Sequence, residues 1–171
     1  MKTGVITAAA IAMTVTTAHA QPPSAEDRFA MIDAVTSIAA GADRHDWGRV
    51  RNAFADEVVL DYTSLWGGEA AAQPADDIVA QWSGLLPGFD ETLHLVTNHT
   101  VVSFDDGAAI MEADFQAMHR IGDDQWVLSG HYTYGLQKSD GDWQVSALTM
   151  TWTHEAGSRD LVAAAAERAS Q

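Results

Sequence analysis

Apolar residues recur at steps of three and four between Ser24 and about Asp46, which places them on one face of an α-helix. Ser24 and Asp27 have the three-residue spacing of a capping box and predict where this helix begins. The same spacing over residues 47–55 predicts a second, short helix. We therefore expect two consecutive helices, the first ending near Asp46.

The pattern changes after the second helix. Residues 57–66 have a strand pattern that Gly67-Gly68 ends, and a third helix from about Pro74 is stopped by Pro87-Gly88. Four further strand runs, separated by turns rich in Asp and Gly, cover residues 92–104, 108–121, 125–138 and 143–154. Helices followed by a hairpin series predict an α+β fold, in which a curved antiparallel sheet wraps around the N-terminal helices and encloses a pocket.

The first twenty residues differ in composition from the rest. They contain one Lys, no acidic residue, an apolar run from Gly4 to Thr17 and then Ala18-His19-Ala20, a pattern typical of a secretory signal peptide. A buried amphipathic helix is the alternative. We expect cleavage after Ala20, a periplasmic or secreted protein without membrane insertion after cleavage, and a single domain over residues 21–171.

The charge balance limits the partners of the protein. With 24 acidic against 9 basic residues the net charge is −15, which disfavours nucleic acids and anionic membranes. There is no cysteine, and the sequence has no G-x-G-x-x-G, P-loop or G-x-S-x-G motif. Carboxylate, imidazole and tyrosine groups remain, and these are groups that transfer protons.

Two ionisable residues fall on faces that are otherwise apolar. Asp43 continues the apolar stripe of the first helix, with a solvated Asp beside Arg44 as the alternative. His119 shares its parity with the apolar residues of its strand, whereas Glu112 and Asp114 take the other face. Because a buried ionisable group is costly without a partner, both residues are candidates for a site; a satisfied core histidine is the alternative for His119.

Parity does not orient His94, because both faces of its strand are equally apolar. His99 lies five residues further on, an odd number, which predicts that the two imidazoles face opposite sides of the strand. On that basis they cannot bind one metal ion. We expect neither a metal site nor a cofactor.

Three stretches carry a resemblance to a known family: ADRHDWGRVRNAFADEVVLDYTSLW (42–66), ETLHLVTN (91–98) and GHYTYGLQKSDGDW (130–143). They resemble the SnoaL-like branch of the NTF2-like superfamily, and within it the scytalone dehydratase type. The D-x-x-D-W motif that ends the helix is more specific for this family when it is combined with T-x-H and a later strand histidine. The DETLH stretch (90–94) is also similar to hexachlorocyclohexane dehydrochlorinase of the same fold, which lacks the second histidine.

The resemblance implies a cone-shaped fold and a catalytic set formed by Asp43, His94, His119 and Tyr62. In that family two tyrosines hold a water, and one of them matches Tyr62. The other, expected just before the helix aspartate, is Ala42 in this chain.

The resemblance also bears on the pocket lining. The serine and asparagine that line the family's pocket match Gly130 and Tyr132, so a more aromatic pocket is expected here. By parity, the predicted substrate-binding residues are Trp66, Phe115, Tyr132 and Tyr134. Such a lining favours a small, flat, mostly apolar substrate.

These residues together predict a cofactor-independent dehydratase, a lyase acting on a small, mostly apolar cyclic substrate. Asp43 orients His94, which removes a proton, and His119 or a water on Tyr62 protonates the departing oxygen. An isomerase of the ketosteroid type begins with the same abstraction. The same fold can also form a pocket that binds a small hydrophobic ligand without catalysis, or a dimerisation module. We also expect a homo-oligomer.

Overall fold

The computed structural model describes residues 22–105 and 107–171, so the predicted signal peptide lies outside the described residues. The helices are α1 (Ala25–Asp43), α2 (Trp47–Ala53), α3 (Thr63–Trp66), α4 (Ala75–Ser83) and α5 (Leu161–Ala169), with a 3-10 turn at Leu86–Gly88. The strands are β1 (Phe54–Asp61), β2 (Ala71–Pro74), β3 (Glu91–Asp105), β4 (Ala108–Ile121), β5 (Asp124–Ser139) and β6 (Asp142–Gly157).

The strands form one sheet in the order β2-β1-β6-β5-β4-β3. Strands β3 to β6 are an antiparallel meander, which confirms the hairpins predicted from the turn residues. β1 pairs in parallel with β6, so the sheet is mixed, and the prediction of a wholly antiparallel sheet is wrong at this edge. The cause is the segment of β2 and α4, which carries the chain from β1 to the far edge, where β3 begins. The α+β class is confirmed.

The capping prediction for α1 is confirmed at its start, where the Ser24 hydroxyl accepts a hydrogen bond from the Asp27 amide at 3.0 Å. α1 ends at Asp43, three residues before the predicted end. His45 takes a left-handed conformation in the turn that follows, with φ of 54°. Asp46 then caps α2 through the Arg49 amide. The apolar pattern therefore continued across a turn between two helices.

The strand predicted over residues 57–66 is shifted. β1 begins at Phe54 and ends at Asp61, so the prediction is wrong for residues 63–66, which form α3. The Asp61 carboxylate accepts hydrogen bonds from the amide and hydroxyl of Thr63, and these bonds start a helical turn in place of extended chain. This turn brings Tyr62 and Trp66 over the inner face of the sheet.

Two elements, β2 and α5, have no counterpart in the predicted pattern. β2 is a four-residue partner of β1, and α5 places Leu161 and Ala165 in the core while it packs on the 3-10 turn at Leu86–Gly88. Among the described residues no helix combines the length and the apolarity that crossing a membrane requires.

The inner face of the sheet is defined most clearly on β4. Its buried residues alternate with exposed or half-buried ones, so that Phe115 and His119 point inward while Glu112 and Asp114 point outward, as the parity predicts. Register shifts interrupt β3 and β6, and shifts of this kind bend a strand. The bent sheet and α1 therefore enclose the space that holds the candidate site.

Candidate functional site

A cavity of about 170 Å³ lies between the inner face of the sheet, α1, α3 and α4. Every predicted site residue except Asp43 lines it: Tyr62, Trp66, His94, Phe115, His119, Tyr132 and Tyr134. The rest of the lining is almost wholly apolar and includes Ile38, Ala42, Trp82, Leu86, Leu128 and Met150. Asp43 lies directly behind His94 and reaches the cavity through that ring.

Asp43 occupies the last position of α1, where a carboxylate opposes the helix dipole and needs other partners. β3 supplies three of them. Oδ1 of Asp43 lies 2.6 Å from Nδ1 of His94 and accepts a hydrogen bond from the Thr92 hydroxyl at 2.9 Å. Oδ2 of Asp43 accepts a hydrogen bond from the His94 amide at 2.7 Å. Burial alone would raise the pKa of Asp43, but the hydrogen bonds and charge of His94, together with Thr92, lower it below its usual value. The carboxylate is therefore ionised at neutral pH.

The contact with Asp43 also fixes the tautomer of His94. A carboxylate only accepts hydrogen bonds, so Nδ1 carries a proton, and in the neutral ring Nε2 then keeps its lone pair. The His94 side chain is 16% exposed and lines the cavity, which makes Nε2 available to a ligand. This arrangement suits a general base: the neutral ring accepts a proton and the carboxylate stabilises the resulting cation.

His119 is buried at 5% exposure among other rings. Its centroid lies 4.7 Å from that of Trp126, 5.0 Å from that of Phe89 and 5.3 Å from that of His94, which it meets edge-on. Burial and the nearby charge of His94 lower the pKa of His119 to about 4, so the ring is neutral at pH 7. Its Nδ1 lies 3.4 Å from the Trp126 carbonyl, to which an N–H can donate, and that tautomer leaves Nε2 as an acceptor.

Three tyrosines form the phenolic part of the lining. Tyr62, Tyr132 and Tyr134 all line the cavity, and Tyr134 follows Tyr132 two residues along the same face of β5, with ring centroids 5.6 Å apart. Burial raises the pKa of all three phenols above the usual value. They are protonated across the physiological range and act as hydrogen-bond donors.

The position of Trp66 at the edge of the cavity is set by Arg159. Trp66 is 51% exposed, and the Arg159 guanidinium lies 5.2 Å from its ring centre. Arg159 also donates to the Leu65 carbonyl at 3.1 Å and pairs with both carboxylate oxygens of Glu155. Glu155 in turn accepts the indole N–H of Trp126 at 2.7 Å. α3 and the wall at Trp126 are therefore linked through one ion pair.

His99 does not face away from His94, so the parity prediction for it is wrong. Between Thr97 and Thr100 the register shifts by one residue, and Asn98 takes a positive φ of 58° there. The Asn98 amide reaches Asp114 on the outer face, so His99 returns to the inner face, where its Nε2 is buried. His94 and His99 thus share a face. They remain about 16 Å apart along the strand, too far to bind one metal ion.

Two residues of the site were missed from the sequence, Thr92 and Trp126. Thr92 lies two residues before His94, so the alternation of β3 would have placed its hydroxyl on the same face. Trp126 shares its parity with Tyr132 and Tyr134 on β5. Thr92 could not be assigned a partner, since the orientation of β3 follows only from its contact with α1. The hydrogen-bond partner of Trp126 is Glu155 on β6, which is distant from it in the sequence.

Comparison with known proteins assigns the chain to a family. A family model described as SnoaL-like domain matches residues 23–149, which include Asp43, His94, His119 and the three tyrosines of the cavity. This chain belongs to the SnoaL-like family. A scytalone dehydratase-like protein of Claviceps purpurea (strain 20.1) is 32% identical, and the match covers 74% of this chain and 87% of that protein.

Solved structures agree with the SnoaL-like assignment at the level of the fold. The crystal structure of the Kfla4162 protein from Kribbella flavida has a TM-score of 0.72 at 22% identity and covers 85% of this chain and 98% of that one. A hexachlorocyclohexane dehydrochlorinase (LinA) of type 2 has a TM-score of 0.65 at 18% identity, with 78% and 89% covered. Membership of the SnoaL-like family supports a role in catalysis on, or binding of, a small molecule.

Proposed function

We propose that this SnoaL-like protein is a dehydratase that removes water from a small, mostly apolar cyclic compound without a cofactor. The observation that carries the proposal is the 2.6 Å contact between Asp43 and His94 at the wall of an apolar cavity. A buried carboxylate that holds an imidazole with its second nitrogen toward a ligand is an arrangement for proton abstraction. The relatives named as scytalone dehydratase-like and dehydrochlorinase agree with elimination chemistry.

The reaction begins at Nε2 of His94. This nitrogen takes a proton from the carbon next to an activating carbonyl, and the electron pair of the C–H bond moves toward that carbonyl as an enolate. The pair then forms the carbon–carbon double bond while the C–O bond of the hydroxyl group breaks. The departing oxygen takes a proton from the imidazolium of His94, either directly or through a water at the Tyr62 hydroxyl that passes the proton on, and leaves as water.

His119 acts here as a hydrogen-bond acceptor, not as the acid that its position in the sequence suggests. A neutral ring whose Nδ1–H faces the Trp126 carbonyl has no proton to donate from Nε2. Its Nε2 instead accepts the hydroxyl of the substrate. Because the rings of His94 and His119 lie 5.3 Å apart, this bond holds the departing group beside the base that reprotonates it.

An isomerase differs only in the fate of the enolate, because the Asp43–His94 pair serves both reactions.

Elimination is tested by incubating the protein with one-ring and two-ring β-hydroxy ketones and following the absorbance of the conjugated product. Ketones without a leaving group, followed by NMR in D₂O, test proton abstraction alone. We expect both activities in wild type and neither in His94→Ala. A double-bond shift without water loss would establish the isomerase, and the absence of deuterium exchange would leave only ligand binding.

A further inference from the structure

The ring of His119 has no charged partner that orients it, whereas the ring of His94 has Asp43. Among the described residues, its one hydrogen bond is the contact of 3.4 Å between Nδ1 and the Trp126 carbonyl. This distance is long for an N–H···O bond, whose usual range is about 2.7–3.2 Å, so the bond restrains the ring only weakly. Packing against neighbouring rings therefore supplies most of the restraint on His119.

Trp126 makes the shortest of these ring contacts. It lies directly opposite His119 in the pairing of β4 with β5, and the two centroids are 4.7 Å apart with the ring planes inclined by 34°. Phe89 and His94 lie further away, at 5.0 Å and 5.3 Å, and meet the imidazole at steeper angles. The Trp126 side chain is buried in a close-packed interior, so a shift of its indole changes the space that the imidazole occupies.

Glu155 on β6 holds the indole of Trp126. Its Oε1 accepts a hydrogen bond from the indole N–H at 2.7 Å. Glu155 lies two residues before Gly157, which pairs with Trp126, and a long side chain reaches across such a diagonal. Gly157 has a φ of 82°, and a Cβ there would lie 1.9 Å from the Gln125 carbonyl oxygen, so glycine is required for this close approach of β6 to β5. Without Glu155, the N–H of a buried indole would lose its acceptor, which favours a different position of the ring.

Arg159 fixes the carboxylate of Glu155 in turn. The guanidinium donates to both carboxylate oxygens, at 2.7 Å and 2.6 Å, and such a bidentate pair sets the plane of the carboxylate. The bonds from Arg159 and Trp126 keep the pKa of Glu155 below its usual value, so the indole N–H donates to a charged acceptor at neutral pH. Glu155 itself does not line the cavity, and it reaches the site only through Trp126.

We propose that Glu155 is a positioning residue of the candidate active site, which orients the imidazole of His119 through the indole of Trp126. This inference rests on the proposed function, in which Nε2 of His119 accepts the departing hydroxyl group. Glu155 orients His119 as Asp43 orients His94, except that one indole lies between the carboxylate and the imidazole. Because only His94 removes the proton, Glu155 affects the loss of the hydroxyl group and not the abstraction of the proton.

Two reactions of the same ring system separate these effects. Elimination of water from 3-hydroxycyclohexanone needs both imidazoles, whereas deuterium exchange of cyclohexanone in D₂O needs only His94. In Glu155→Ala we expect kcat for elimination to fall about tenfold, the factor that one hydrogen bond of about 1.4 kcal/mol gives, with the exchange rate and KM within threefold of wild type. Glu155→Gln keeps an oxygen that accepts the indole N–H and should restore elimination to within threefold of wild type.

Glu91→Ala is the matched control for these variants. Glu91 pairs with Arg120 at 3.3 Å on the surface, so its loss removes a carboxylate and an ion pair of the same kind without a change at Trp126. Both reactions should stay within twofold of their wild-type rates.

NMR of ¹³C,¹⁵N-labelled protein observes the two rings without any turnover. In wild type we expect the indole N–H signal of Trp126 to lie downfield, because a carboxylate accepts it, and the Cε1–H signal of His119 to be shifted by the ring current of the indole. Both signals should move in Glu155→Ala, return toward wild type in Glu155→Gln and stay unchanged in Glu91→Ala.

The contrary results are distinct. Equal losses of elimination and exchange in Glu155→Ala would overturn the inference, because they would show that Glu155 only supports the cavity. Unchanged elimination, or an unchanged His119 signal, would show that the indole does not position the imidazole. If wild type eliminates no water, the proposed function fails, and the His119 signal alone then decides whether Glu155 positions this ring.

Discussion

Asp43 holds His94 at two points, by its ring and by its backbone amide. One carboxylate oxygen contacts Nδ1 at 2.6 Å and the other accepts the amide at 2.7 Å. The end of α1 is thereby fixed to the beginning of β3 by the same group that sets the tautomer of the imidazole. Because the backbone contact limits how β3 slides past α1, the ring orientation depends on the fold rather than on side-chain rotation alone.

Asp43→Asn should separate orientation from charge. An amide oxygen can still accept from Nδ1, but it cannot stabilise the imidazolium that forms when His94 takes a proton. We expect turnover to fall by about 10²- to 10⁴-fold while the far-ultraviolet circular dichroism is unchanged. The measurement is the rate of elimination or deuterium exchange under single-turnover conditions.

The chain contains a matched control for that variant. Asp114 and His131 form a second contact of 2.7 Å on the outer face of the sheet, where both side chains are largely exposed. Asp114→Asn removes the same charge from the same kind of pair and should leave turnover within twofold. Equal losses in the two variants would show that net charge, and not the contact with His94, is responsible.

His94→Ala should be more damaging than Asp43→Asn, because it removes the base itself. The double variant Asp43→Asn/His94→Ala should lose little more activity than His94→Ala alone, since the carboxylate acts through the ring and has no function without it. Rate constants for the four proteins form a double-mutant cycle, with His131→Ala as the surface control. Additive losses would mean that Asp43 affects the reaction independently of His94.

Much of this site could be predicted from periodicity. The alternation of β4 is uninterrupted, so the inward orientation of Phe115 and His119 follows from residue types alone. The apolar stripe of α1 likewise placed Asp43 toward the interior, and the turns of Asp and Gly defined the meander from β3 to β6. These features depend on contacts within one element or between neighbours in sequence.

The features of the fold and the site that could not be predicted depend on contacts between residues distant in the sequence. The bulge at Asn98 is stabilised by its bond to Asp114 on the next strand, and no local signal separates it from regular alternation, which is why the face of His99 was wrongly predicted. The parallel pairing of β1 with β6 joins residues nearly ninety positions apart, as in the contact of Leu60 with Leu148. Similarly, Tyr62 and Tyr132 line one cavity although they belong to elements that are distant in the sequence.

Acidification should destabilise the protein through His119. Its pKa is lowered from 6.5 to about 4 in the folded state, so between these values the unfolded chain binds more protons and the free energy of unfolding falls as the pH is lowered. Between pH 7 and pH 5 the contribution is on the order of 2 kcal/mol. The lowered pKa of Asp43 acts in a separate window, because that stabilisation is lost only below its usual value of 3.8.

Urea unfolding of wild type and His119→Gln at pH 7 and pH 5 measures this contribution. We expect the loss of unfolding free energy between the two pH values to be smaller in the variant by about 2 kcal/mol, because glutamine cannot be protonated. His131→Gln, on the exposed outer face, should retain the wild-type difference. An unchanged pH dependence in His119→Gln would mean that the buried ring is not the source.

Gly88→Ala tests whether α5 supports the cavity. A Cβ at Gly88 would lie 1.9 Å from the Ala165 carbonyl oxygen and 2.5 Å from its carbon, and both atoms are backbone, so α5 has to move. Leu86 in the same 3-10 turn lines the cavity, and Phe89, which follows it, lies against His119. We expect the free energy of unfolding to fall by about 1–3 kcal/mol, with weaker binding of acetophenone, which serves as a one-ring probe of the cavity.

Gly48→Ala in α2 is the control for this variant. A Cβ at Gly48 has only an ordinary contact of 3.7 Å, and alanine should stabilise the helix by about 0.5–1 kcal/mol. Wild-type stability and binding in Gly88→Ala would show that α5 packs on the turn without shaping the cavity.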